Sequence, residues 1–308
     1  MAVTSDSPNF PRLLRLVLQA IGLFLLISSA DLISAQTQAS CTFTQFSVRS
    51  QTSTGVRTLG PGGINDYGTT VGAADNSNGL TQGFIRWSNG SLSFYAAKPS
   101  GVAVDTFFSD RNNKGVIIGV AGFPFSLQGS TFTPLVLTIG TNTQTMFAPA
   151  KINNWGTIVG FYSGPSGAIH GFKRWSNGQA VALDFPGAKE TFPLGINDHG
   201  IIVGWYSATL PPHEQRHGFI YHNGQWTKLD YPSTSLQTTL TGIDNAGLII
   251  GSTTAGSFFH GSFIYESGVF KKVVAPNSTV PTEVSGISLV RGLLVGISDF
   301  GGFIGTCK

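Results

Sequence analysis

The chain has 308 residues, only 11% of them charged, and its 18 basic against 15 acidic groups leave a net charge of +3. That balance is too mild for binding to nucleic acid or to an anionic membrane surface. The 40 glycines, with abundant Ser, Thr and Asn, suit short strands and tight turns, and no helical periodicity is sustained beyond the N-terminal segment.

The first element is a targeting segment. Arg12 and Arg15 precede an apolar run at 16–30, and small residues follow it. This is the order of a secretory signal peptide, cleaved after Ala30 or Ala35. The run falls short of the roughly 20 apolar residues of a spanning helix. Residues 1–35 are therefore read as the signal, 36–40 as a linker and 41–308 as a single domain. The expected location is secreted, periplasmic or cell-envelope. An uncleaved anchor and a lipid-bearing Cys41 are the alternatives.

From residue 63 one motif recurs six times. Clear copies are GINDYGTTVG at 63–72 and GINDHGIIVG at 195–204. Weaker copies are DRNNKGVIIG from 110, KINNWGTIVG from 151, GIDNAGLIIG from 242 and SGISLVRGLLVG from 285. The closing glycines, Gly72, Gly119, Gly160, Gly204, Gly251 and Gly296, are 47, 41, 44, 47 and 45 residues apart. A period near 45 marks an array of small β units.

The fourth unit reads as four strands. They are 191–197, 201–206 after the turn Asp198-His199-Gly200, 217–222, and 225–231 after the hairpin pair Asn223-Gly224, with Pro232 ending the last. The third unit repeats this order at 170–175, Asn177-Gly178 and 179–185, and the first at 83–87, Asn89-Gly90 and 91–95. Four short strands in each of six units predict an all-β fold, a six-bladed β-propeller of four-stranded blades. The glycine inside each second strand is expected where packed sheets approach closely.

The ends predict how the ring closes. Residues 302–307 align with a third strand, and the sequence then ends; 41–48 has the pattern of a fourth strand. The N-terminal strand then completes the last blade, which removes an open edge. Cys41 and Cys307 fall where Asn223 and Gly224 sit in the fourth unit, so a disulfide takes the place of the hairpin turn. Two free thiols are the alternative.

The run GINDxGxIVG followed by HGF and LDxPG is carried here by 195–204, 217–219, 170–172, 183–187 and 229–232. It resembles the HAF-family extracellular repeat of bacterial secreted proteins. The resemblance covers 41–308 and blurs in the second unit and in the sixth, where Arg291 adds a residue. It implies export and a repeat fold. It brings no established activity and no catalytic residues.

In such a blade the tight turns share one face and the variable loops the other. From the second-strand glycine to the third-strand glycine the spacing is 11 (Gly72 to Gly83), 3 (Gly119 to Gly122), 11 (Gly160 to Gly171) and 14 (Gly204 to Gly218). A ligand is expected on this variable face and at the channel mouth. Candidate ligand-binding residues are Phe161, Tyr162, Trp205, Tyr206 and Arg216, with inter-blade packing as the alternative role of the aromatics. His170 with Asp184, and His217 with Asp230, are expected as structural polar ties, since no GxSxG nucleophile turn accompanies them. His213, Glu214 and His217 do not complete a zinc set, because His217 is a repeat position shared with His170. Asp66 and Asp198 belong to turns without the dense acidic spacing of a calcium loop. No metal or cofactor is expected.

The composite reading is a secreted, monomeric, non-enzymatic binding propeller for an unknown glycan, peptide or envelope component. The alternative is a hydrolase or lyase acting on extracellular polysaccharide. That needs two carboxylates beside the channel, drawn from Asp75, Asp105, Glu190, Glu214, Glu283 and Asp299. A purely structural envelope component is the third reading.

Overall fold

The computed structural model describes residues 38–47, 58–210, 215–256, 258–298 and 301–307. The expected signal segment, His213, Glu214 and Asp299 lie outside them. Strand β1 (Cys41–Phe46) comes first in the chain and joins the ring last. Blade 1 is β2 (Thr58–Ile64), β3 (Thr70–Asp75), β4 (Thr81–Arg86) and β5 (Leu92–Tyr95). Blade 2 is β6 (Phe107–Arg111), β7 (Ile117–Val120), β8 (Pro124–Gln128) and β9 (Thr131–Pro134). A separate hairpin follows, β10 (Leu137–Ile139) with β11 (Asn142–Gln144). Blade 3 is β12 (Phe147–Ile152), β13 (Ile158–Ser163), β14 (Ile169–Arg174) and β15 (Ala180–Ala182). Blade 4 is β16 (Glu190–Ile196), β17 (Ile202–Ser207), β18 (His217–His222) and β19 (Gln225–Lys228). Blade 5 is β20 (Gln237–Ile243), β21 (Ile249–Ala255), β22 (Phe258–Glu266) and β23 (Val269–Val273). Blade 6 is β24 (Glu283–Ile287), β25 (Leu294–Ser298) and β26 (Gly301–Cys307), with β1 as its outer strand.

The expected six-bladed propeller is borne out. Each blade is an antiparallel sheet in chain order, and the first strands of neighbouring blades touch all the way round, from β2 to β6 and on to β24 and back. Closure follows the predicted scheme. β1 pairs with β26 from Cys41↔Cys307 to Phe46↔Gly302, and a disulfide joins the two cysteines. The β10–β11 hairpin is an addition that the repeat did not announce. Among the described residues no helix is long and apolar enough to cross a membrane.

The recurring second-strand glycine has a different cause from the one expected. It answers to its own blade rather than to a packed neighbour. Each such glycine pairs across the sheet with a fully buried phenylalanine of the third strand: Phe84, Phe125, Phe172, Phe219, Phe263 and Phe303. The ring lies over the glycine. A Cβ on Gly204 would stand 2.9 Å from the Phe219 ring and 2.0 Å from the carbonyl oxygen of Phe192 in the same blade. Each ring then fills the seam between blades with aliphatic neighbours; Phe219, for example, clusters with Val159 of blade 3 and Ile196 and Ile202 of blade 4. Burying one such side chain contributes about 1.5–3 kcal/mol.

One alignment is corrected in blade 2. The residue before the buried phenylalanine is Gly83, Gly171 or Gly218 in blades 1, 3 and 4, but Pro124 in blade 2. Gly122 instead sits in the β7–β8 turn at φ +70°, where Ala121 N–H donates to the Phe123 carbonyl at 2.9 Å. The connection is so short that its glycine is used to reverse the chain.

The NDxG turns form a second closure. The first residue caps its own turn, as when Asn197 Oδ1 accepts from His199 N–H and Ile201 N–H at 3.1 and 3.0 Å. The second residue links blades. The N–H of Asp66 donates to Asn113 Oδ1, that of Asn113 to Asn154 Oδ1, that of Asn154 to Asp198 Oδ1 and that of Asp198 to Asn245 Oδ1. The extra residue in the sixth turn lets the Leu289 carbonyl accept from Asn245 N–H, and Val290 N–H returns to Asp66 Oδ1. These bonds run unbroken around all six blades. The carboxylates of Asp66 and Asp198 are occupied by amide donors, in keeping with a turn rather than a calcium loop.

Candidate functional site

Every innermost strand carries a β-bulge at the same place. The extra residues are Gly62, Ser109, Ala150, Leu194, Thr241 and Ser285, and all six line one cavity of about 460 Å³ at the channel mouth. A bulge re-aims a side chain out of the alternating pattern. Here six of them turn one ring of residues into the channel. The wall above is built mainly from blades 5 and 6, with Thr239, Ser252, Thr254, Phe259, Glu283 and Val284. Arg216, on the loop entering β18, completes it.

The next ring inward closes the channel. Four of its positions are glycine, Gly63, Gly195, Gly242 and Gly286, and the backbones nearly touch: a Cβ on Gly195 would stand 2.7 Å from Gly242 Cα. The other two positions are Asp110 and Lys151. The Lys151 ammonium donates to the Gly62 carbonyl at 2.6 Å and the Ser285 carbonyl at 3.3 Å, and lies 3.8 Å from Asp110 Oδ1. Asp110 Oδ2 accepts from Ile152 N–H at 3.0 Å. Burial raises the Asp110 pKa, outweighing the attraction of Lys151 and two backbone N–H bonds. The cavity is therefore a cup with a floor. Lys151, from blade 3, reaches across that floor to the seam between blades 1 and 6.

Glu283 begins β24 and opens to solvent on the cup side. Among the described residues its carboxylate has no hydrogen bond or ion pair, and the surrounding walls raise its pKa by desolvation. The hydroxyls of Ser109, Thr239, Ser252 and Thr254 likewise have no partner among the described residues.

Of the five residues singled out in the sequence, Arg216 lines the cup and the four aromatics do not. Phe192 stacks on Trp205 at 4.1 Å, the Arg216 guanidinium lies over the Trp205 ring at 4.5 Å, and Phe161 meets Phe192 at 4.8 Å, tilted by 51°. Trp205 is 6% exposed, so its faces are spent on Phe192 and Arg216. Tyr206 is buried with its ring 3.6 Å from Phe185. Tyr162 is buried beside His170, and with Phe161 it edges a separate apolar crevice between blades 2 and 3. Trp205, Tyr206 and Tyr162 are thus buried against neighbouring rings, and Phe161 is half-buried.

His170 Nδ1 lies 2.9 Å from Asp184 Oδ2 and His217 Nδ1 lies 2.8 Å from Asp230 Oδ2. The other oxygen of each aspartate accepts the next N–H, of Gly171 and Gly218. Each pair thus clips the start of a third strand to the segment after the fourth. Among the described residues no three His, Cys, Asp or Glu side chains gather closely enough to hold a metal ion. Of the loop-face acids, Asp75 accepts from Thr81 Oγ1 and Asp105 from Thr81 N–H, and Glu190 is buried. Only Glu283, among the described acids, lines the cup.

No family model matches the chain, and no curated protein matches it.

Arg216 and Glu283 of the cup wall were named from the sequence, but its floor and its ring of bulge residues were not. Asp110 and Lys151 were visible as the two charged departures from a glycine position in the motif, and opposite charges at one repeat position are a readable signal. The bulge residues share no residue type, so nothing in the sequence groups them.

Proposed function

We propose that the protein is an exported, non-enzymatic binding propeller that holds a small polar ligand in the cup on its variable-loop face. The observation that carries this reading is a walled cavity of ligand size in which the Glu283 carboxylate and the hydroxyls of Ser109, Thr239, Ser252 and Thr254 have no partners among the described residues. Such convergent, unspent polar groups in a preformed concavity are what a binding site needs. A pair of carboxylates for glycoside cleavage is not among the described wall residues. Export is supported by the disulfide, which needs an oxidising compartment to persist. It is also supported by the N-terminal segment and by the likeness of the repeats to the HAF family, in which we place the chain.

The test is a screen of the purified protein on glycan, peptide and envelope-component arrays, beside the variant Thr254→Trp, which fills the cup from its rim. Retention of one ligand class by the parent, lost in the variant and without chemical change to the ligand, is the expected result. Turnover of any retained compound overturns the non-enzymatic reading. Retention that Thr254→Trp leaves unchanged overturns the cup as the site.

A further inference from the structure

We infer that the cup takes a neutral, hydroxyl-rich ligand, a saccharide unit, with Glu283 accepting hydroxyls of one diol and the rim hydroxyls of blade 5 contacting the others. This rests on the cup being the binding site. An anionic ligand meets the unpaired Glu283 carboxylate, while Lys151 on the floor already donates to two carbonyls and faces Asp110. A cationic ligand meets the Arg216 guanidinium on the wall, and Lys151 below offers it no acceptor. A neutral polyol meets neither penalty. A carboxylate with no partner of its own gains from O–H donors that bring no opposing charge, and such charge-assisted bonds are the strong ones.

The rest of the wall fits the same chemistry. Ser109, Thr239, Ser252 and Thr254 offer hydroxyls that both donate and accept, the pairing that sugar hydroxyls require. Phe259 and Leu194, both half-buried, supply apolar surface for the C–H face of a sugar ring. A cup of about 460 Å³ has room for one or two such rings. Glu283 is thus the specificity-determining residue.

The experiment is saturation-transfer NMR backed by calorimetry, using three probe sets: neutral oligosaccharides such as maltotriose, cellotriose and N-acetylated chitotriose; a trimer of galacturonate; and glucosamine. The expected result is that a neutral oligosaccharide binds at least about tenfold more tightly than either charged probe, the discrimination set by one charge-assisted bond. Glu283→Gln weakens it by about tenfold and Ser252→Ala by a smaller factor, with thermal unfolding of both variants unchanged. Tighter binding of the uronate or amine probe, still lost in Glu283→Gln, overturns the ligand class and leaves the cup as the site. Neutral binding indifferent to Glu283→Gln overturns the role of Glu283. Silence from every probe overturns the saccharide assignment, and the array screen then decides whether the cup binds another class.

Discussion

Asp198 shows how much a single repeat residue does. Its carboxylate accepts Asn154 N–H at 2.8 Å, Asn154 Nδ2 at 2.9 Å and Asn245 Nδ2 at 2.9 Å, so it joins blades 3, 4 and 5. The neighbouring His199 is exposed, and its side chain makes no hydrogen bond among the described residues. Asp198→Ala is predicted to cost about 2 kcal/mol in urea unfolding, because partly buried donors lose their acceptor. His199→Ala stays within about 0.5 kcal/mol, as surface changes usually do. Asp110 makes a prediction of its own. Burial raises its pKa above the ordinary 3.8. Between those two values the native state holds more protons than the unfolded chain, so stability falls as pH rises through the native pKa. Asp110→Asn keeps an acceptor for Ile152 N–H and removes this slope. Urea unfolding of both proteins across about pH 4 to 7 should show the parent losing stability relative to the variant as pH rises. A relative gain instead would mean that Lys151 attraction exceeds the cost of burial.

At the level of the strand, the pairing of glycine with phenylalanine is the unit of construction. Gly204→Ala is predicted to destabilise blade 4 by about 3 kcal/mol or to prevent its folding, since a close-packed site cannot absorb the methyl. Phe219→Leu should not rescue it, because the closest contact is the Phe192 carbonyl oxygen at 2.0 Å rather than the ring. Thermal unfolding of the single and double variants decides this; full rescue would show the ring to be the obstacle. The strands themselves were legible in the sequence because turns demand particular residues. Asn223 at φ 49° and Gly224 at φ 83° occupy a conformation few residues tolerate, and the third strand of blade 4 runs His217–His222 as predicted. The β10–β11 hairpin was not legible, because it lies outside the repeat and its strands are only three residues long. The cup was not legible either. A bulge is a property of strand pairing, and Gly62, Ser109 and Leu194 have nothing in common except register.

For the molecule as a whole, the two chain ends decide whether the six sheets form a ring. The ends were readable from the repeat, because a third strand without a fourth and a fourth without a third have one economical solution. Blade 6 supplies Glu283 and Ser285 to the cup, and its sheet is complete only with β1. The disulfide spans 266 residues, and in the chain-entropy model such a link stabilises by up to about 5 kcal/mol. Cys41→Ser with Cys307→Ser is therefore predicted to lower the urea unfolding free energy by several kcal/mol, within that bound. It should also weaken whatever the cup binds, through loosening of blade 6. Native-state hydrogen exchange of the Cys41–Phe46 amides tests the closed ring most directly. In the oxidised protein the amides that β1 donates to β26 should be protected nearly as well as the central strands, and reduction should release them first. Exchange of those amides as fast as in an unfolded peptide, with the disulfide intact, would contradict the closed propeller and the cup built on it.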